Sequence, residues 1–239
     1  MLKSLLVAAS LSLAALLPAS AGAQNASKTP VKGSQYVELS PSQPVDTEGK
    51  VEVIEFFWYG CPHCYALEPL IEPWEKKLPK DAVFKRVPAV FNDQWGIAAR
   101  VYYTLDALGE ETRLRRALFD AIHKEGLKIT DESATTDWMA KHGIDAAKYK
   151  ATYNSFAVQS KLARAQQMTQ SYRLSGVPTF VVQGKYLAGA EQNGDGQPLL
   201  DVTSYLVAEV DKQISKSAAK APAPAPAKAD AKKPAKKAS

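Results

Sequence analysis

The sequence predicts an α/β fold in which a β-α-β unit and a β-β-α unit are separated by a long helical block. Three observations carry this expectation. Short runs rich in β-branched and aromatic residues stand at 51–59, 82–90 and 177–189. Between 92 and 175 apolar residues recur instead at helical spacing. Both ends separate by composition, leaving roughly 190 residues, a length that suits one domain with or without an insertion.

The first residues, MLKSLLVAASLSLAALLPASAGAQ, place a single early charge, Lys3, before an apolar run from Leu5 to Leu17 and a set of small residues. This is the pattern of a secretory signal peptide, assigned to residues 1–23, with cut sites after Ala21 or Ala23. The apolar run falls short of the ~20 residues needed to span a bilayer. The mature chain is therefore expected outside the cytoplasm, where disulfides form and persist. At the other end, residues 217–239 contain almost nothing but Ala, Pro and Lys and no large apolar side chain. Such a segment is expected to be a disordered tail.

The charge follows the tail. The whole chain carries 30 basic and 25 acidic residues, net +5. Six lysines and one aspartate lie in 217–239, and Lys3 lies in the leader, so the remaining chain is close to neutral. A basic total of this origin does not point to nucleic acid as a partner.

Residues 51–59, VEVIEFFWY, are apolar on both faces, as a central buried strand requires. After Gly60, residues 61–79 read as a helix, with Pro62 suited to its first turn and Pro69 and Pro73 predicting a kink or an early end. Residues 82–90, AVFKRVPAV, read as the next strand. Five helical segments follow at 93–109, 110–126, 130–143, 145–155 and 156–174, several opening on acidic or hydroxyl residues. Strand character returns at 177–189, with a turn at Gln183-Gly184, and an amphipathic helix over 197–215 closes the domain.

Cys61 and Cys64 are the two cysteines of the chain, and only Pro62 and His63 separate them. A close pair of this kind is half of a metal site, a static crosslink or a redox couple. Structural zinc needs four ligands, and the other nitrogen donors of the usual type are His63, His123 and His142, with no second close pair. A crosslink closing so short a loop stabilises little. The redox reading gives each residue a reason. At a helix start, unpaired N–H groups and the positive end of the macrodipole favour a thiolate at Cys61. Cys64, one turn later, lies on the same side. His63 adds a donor or a positive charge, and Pro62 stiffens the turn. Stabilising the thiolate stabilises the dithiol and makes the disulfide the stronger oxidant. The electrons then reside on the cysteines, with no separate cofactor and no metal.

Two further features stand out. Val177-Pro178 opens a strand after a glycine, a place where an X-Pro bond is either cis or an ordinary trans bond. Glu55 sits inside an otherwise apolar strand, where an unpaired charge is costly.

Together EFFWYGCPHCY, the helical block, GVPTF and the leader closely resemble the periplasmic DsbA-type thiol:disulfide oxidoreductases, over residues 35–215. The resemblance implies a thioredoxin fold, formed by 24–91 and 176–216, with a helical domain inserted at 92–175. It implies a cis Val177-Pro178 bond facing the cysteines beside a groove for reduced, unfolded exported proteins. It also implies reoxidation by a quinone-linked membrane partner of the DsbB type. An acid at the position of Glu55 then assists proton movement with a base from the next strand, Arg86 or, second, Lys85. The family often has Lys at that position, and Arg does not readily release its proton.

The expected activity is donation of the Cys61-Cys64 disulfide by a periplasmic monomer. The enzyme-class rival is a disulfide isomerase or a reductase kept reduced by a membrane donor; isomerases of this type usually carry an N-terminal dimerisation domain, for which 24–50 is too short. A chaperone-like binder of unfolded chains is the alternative outside enzymology. Trp58, Tyr59, Tyr65 and Phe91 are candidates for an apolar groove, with core packing the competing reading, favoured for Tyr65 and Phe91. His123 and His142 are expected to be solvated and without a role.

Overall fold

The computed structural model describes residues 29–220; the leader assigned to 1–23 and the stretch 221–239 lie outside the described residues. The strands are β1 (Val37–Glu38), β2 (Val51–Phe57), β3 (Ala82–Pro88), β4 (Thr179–Val182) and β5 (Tyr186–Gly189). They form one sheet in the order β1-β5-β4-β2-β3, with β2 parallel to β3 and the other neighbours antiparallel. Every residue of β2 is buried, as expected of a central strand, and this includes its two acids, Glu52 and Glu55. The β4–β5 turn falls at Gln183 and Gly184, both at positive φ (53° and 60°), the conformation of a tight hairpin turn. A Cβ on Gly184 would also meet the Gln43 carbonyl oxygen at 2.2 Å.

Two layers of helix cover the sheet, and strand alternation assigns residues to each. Val51, Val53, Phe180 and Val182 pack against Leu67, Ile71 and Trp74 of α1 (Pro62–Glu75) and against Leu199, Leu206 and Val210 of α8 (Gln197–Lys220). Ile54, Phe56, Val181 and Leu187 join the core of the inserted helices α2 (Asp93–Leu108), α3 (Glu111–His123), α4 (Glu132–Lys141), α5 (Ala146–Tyr153) and α6 (Phe156–Ser171). Asn92, Asp131, Asp145 and Ser155 cap α2, α4, α5 and α6 by accepting backbone N–H groups. Asp145 opens its predicted segment, and the other three caps fall one residue from the predicted starts at 93, 130 and 156.

The structure departs from the sequence reading at several points. β1 and the short α7 (Ala190–Asn193) carry no sequence signal of their own. α1 runs through Pro69 and Pro73 and stops at Glu75, short of 79, the early end those prolines predict. The last helix continues to Lys220, past the boundary expected at 216, because Ala218 and Ala219 favour helix and the first proline of the tail comes only at Pro222. Among the described residues, no helix is long and apolar enough to cross a membrane.

Candidate active site

The β2 strand ends at Phe57, and the chain turns through Trp58, Tyr59 and Gly60 into α1. The turn closes with the Cys61 N–H donating to the Trp58 carbonyl at 3.0 Å. Glycine at position 60 leaves room for the Trp58 ring: a Cβ there would stand 2.4 Å from it, so the ring would have to shift. Cys61 is thereby set as the N-cap of α1, in extended conformation, with Pro62 in the first turn. Its sulfur accepts the N–H of Cys64 at 3.4 Å.

The two sulfurs occupy unlike surroundings. Cys61, a free thiol here, has its pKa lowered to about 6, first by the hydrogen bond from the Cys64 side chain, then by the backbone N–H groups of Cys64 and His63 and the charge of His63, against the cost of burial. Cys64 is 1 % exposed, and burial pushes its thiol well above the ordinary range. Thiolate character therefore concentrates on the outer sulfur.

Val177-Pro178 is a cis bond, and the Cys61 thiol donates to the Val177 carbonyl at 3.5 Å. The loop, just before β4, thus faces the Cys61 sulfur from 116 residues away in sequence. Beside it lies a cavity of about 410 Å³ whose lining includes Leu174, Val177, Pro178, Leu187, His63 and Asp195.

Glu55 is 1 % exposed and stands opposite Arg86 in the β2–β3 register; its Oε2 accepts from Arg86 Nε at 2.9 Å. Burial raises the Glu55 carboxyl, while Arg86 pulls it down. Arg86, rather than Lys85, is the partner, since Lys85 bonds the other buried strand acid, Glu52, at 2.7 Å. Alternation explains the choice: Glu52 and Glu55 point to opposite faces of β2. The charges continue outward from Arg86 to Glu68, and from Glu68 to Arg115, each at 3.6 Å. Arg115 in turn pairs with Glu111, which accepts from the Tyr59 hydroxyl at 3.3 Å.

Other side chains are placed differently from expectation. Phe91 is 42 % exposed, not core; it stands edge-on to Trp95, which stacks on Trp58 with ring centroids 4.3 Å apart. Tyr59 is fully packed in the core, and Tyr65 packs partly against it, its hydroxyl bonded to Asp120 at 2.5 Å. His123 is not a solvated surface residue. It stacks on Tyr65, and its Nε2 lies 2.8 Å from the Tyr59 carbonyl. His142 likewise stacks on Trp138. The sequence reading missed Asp195, whose Oδ2 lies 2.6 Å from His63 Nδ1, because 132 residues separate them.

A DSBA-like thioredoxin domain profile matches residues 76–194. The thiol:disulfide interchange protein DsbA of Pseudomonas aeruginosa is 40 % identical over 206 residues, 86 % of this chain and 96 % of that protein. The DsbA of Azotobacter vinelandii is 41 % identical over 87 % of this chain and 98 % of its own. Among solved structures, P. aeruginosa DsbA aligns with a TM-score of 0.73 at 41 % identity, covering 80 % of this chain and 97 % of that one. Reduced DsbA1 of Neisseria meningitidis aligns with a TM-score of 0.68 at 26 % identity, over 79 % and 99 %. Relatives this similar, matched across almost their whole length, share more than a fold with this protein: the chain belongs to the DsbA family and is a thiol:disulfide oxidoreductase.

Proposed function

We propose that this protein donates the Cys61-Cys64 disulfide to reduced, unfolded exported proteins in the periplasm. The observation that carries the direction of transfer is the setting of Cys61 as the N-cap of α1, its sulfur accepting the Cys64 N–H at 3.4 Å and its pKa lowered to about 6. Stabilising the reduced pair in this way makes the disulfide oxidising.

In the first step a substrate thiolate attacks Cys61 Sγ. The Cys61–Cys64 bond breaks, a substrate–Cys61 bond forms, and Cys64 leaves with the electron pair and takes up a proton. A second substrate thiolate then attacks the substrate sulfur of this mixed disulfide, and Cys61 departs as a thiolate. The substrate has lost two electrons and the enzyme has become the dithiol. The cysteines are the only electron carrier needed. Glu55, raised by burial and close enough to Cys64 to bias its titration, is suited to pass the proton that Cys64 gains, with Arg86 orienting it. The edge of the cis loop at Val177 offers backbone to an extended chain, and the apolar wall at Leu174, Pro178 and Leu187 offers sequence-tolerant contact.

The dithiol must be reoxidised from outside. A quinone-linked membrane oxidoreductase of the DsbB type is the proposed acceptor, and a monomer is the proposed working unit.

Equilibration of the purified protein with glutathione redox buffer tests the direction. A pair that stays reduced until the buffer is strongly oxidising supports the oxidase. A pair that oxidises as readily as thioredoxin overturns it in favour of a reductase. Suppression of aggregation that survives loss of both cysteines, without disulfide transfer, would favour the chaperone-like alternative.

A further inference from the structure

His63 lies between the two cysteines, yet its ring is tied to a distant part of the chain. Its Nδ1 stands 2.6 Å from Oδ2 of Asp195, in the connection between α7 and α8. Both side chains line the cavity beside the cis loop, together with Val177 and Pro178. The pair therefore links the N-terminal end of α1 to the opposite wall of the groove at its mouth.

We propose that Asp195 is a positioning residue of the exchange centre, acting on Cys61 through His63 by fixing the imidazole at the groove mouth with Nδ1 bound to its carboxylate. The inference rests on the oxidase reading above. Its chemical content is a proton inventory. With its Nδ1 proton committed to Asp195, the imidazole favours the Cys61 thiolate only while the ring carries a positive charge, and a free imidazole loses that charge near pH 6.5. A carboxylate in hydrogen-bond contact holds the proton on the ring to higher pH. The charged groups facing His63 are Asp195 across the groove and Cys61 on its own side, and both raise the pKa of His63. Arg173, before the cis loop, and Glu191, on α7, line the same cavity. Glu191 accepts from Ser175 rather than from His63. Among the described residues, His63 is the ion-pair partner of Asp195. The same contact fixes the tautomer: Nδ1 carries the proton toward Asp195, leaving Nε2 as the position that titrates.

The test compares Asp195→Asn with the parent in two readouts. Proton NMR of the reduced proteins, with the His63 signal assigned by its absence in His63→Ala, follows the ring directly. His63 is expected to titrate at lower pH in Asp195→Asn and to return toward the parent in Asp195→Glu. In glutathione buffer at pH 7.5, the preference of the pair for the reduced state is expected to fall about two- to fivefold, the range of a solvent-exposed ion pair. At pH 5.5, where the ring is protonated in both proteins, the preference is expected not to fall. In a His63→Ala background, Asp195→Asn should change nothing. An unaltered His63 titration, an equal fall at both pH values, or a fall that persists without His63 overturns the proposal. Failure of the oxidase reading would look different, because the parent protein itself would then equilibrate in the thioredoxin range whatever the variant did.

Discussion

The backbone N–H of Cys64 reaches Cys61 Sγ at 3.4 Å, so the inner cysteine of the pair supports the charge of the outer one. The Cys64 thiol adds the largest single contribution to the lowered pKa of Cys61. Removing that thiol should return the Cys61 pKa toward the ordinary value of about 8.5. Cys64→Ala should show the larger rise and Cys64→Ser, which keeps a hydroxyl donor, the smaller, as read by thiolate absorbance against pH. Equal values in the two variants would assign the effect to the helix N-terminus instead. Cys64→Ser should also accumulate substrate in mixed disulfides on Cys61, whereas Cys61→Ser should lose exchange altogether, by a factor of 10³ or more on the order of a lost nucleophile.

The glutathione equilibrium has a defined pH dependence. Above the Cys61 pKa of about 6, reduction of the enzyme disulfide by two glutathione thiols yields one thiolate, one thiol, glutathione disulfide and a proton. The equilibrium constant for reduction should therefore rise about tenfold per pH unit from 6.5 to 8 and flatten below about 6. A constant independent of pH across that range would show that Cys61 is not ionised in the reduced protein.

Glu55 makes the opposite prediction for stability. Burial raises its carboxyl in the folded chain. Its contribution is thus fully present below the unfolded value of about 4.3 and lost as pH rises through the folded one. In the oxidised protein, where neither cysteine titrates, Glu55→Gln should remove that decline and gain about 1–3 kcal/mol relative to the parent between pH 4.5 and 8. Parallel melting curves of the two proteins across this range would refute it.

Gly60→Ala tests the turn into α1. The added Cβ would stand 2.4 Å from the Trp58 ring, which stacks on Trp95. Displacing the ring should cost about 1–3 kcal/mol in urea unfolding and alter tryptophan fluorescence. An unchanged midpoint and spectrum would mean that the ring has free space to move into.

Much of this architecture is local and therefore legible in the chain. The apolar run of β2, the polar caps of the inserted helices, the Gln183-Gly184 turn and the placement of Cys61 at a helix start all follow from neighbours a few residues apart. The second buried acid of the strand, Glu52, went unread beside Glu55. What the sequence could not supply is which cation each acid meets, since that depends on the parallel β2–β3 register setting Glu55 beside Arg86. Nor could it show that Phe91 faces solvent: an isolated aromatic after a strand looks the same whether a helix covers it or not. His123 and Asp195 were invisible for a related reason, because their partners, Tyr59 and His63, lie 64 and 132 residues away.

By itself the sequence determined the chemistry, two sulfurs one turn apart at the start of a helix, because helix signals and cysteine spacing act over a single turn. The tertiary structure alone decided the surroundings of those sulfurs: the Val177 carbonyl at 3.5 Å, the buried Glu55–Arg86 pair and the Asp195 clamp on His63. Those contacts arise only when the sheet closes and the α7–α8 connection returns to the N-terminus of α1, so they are a property of packing, whereas the groups that lower the Cys61 pKa, Cys64 and His63, come from its own helical turn.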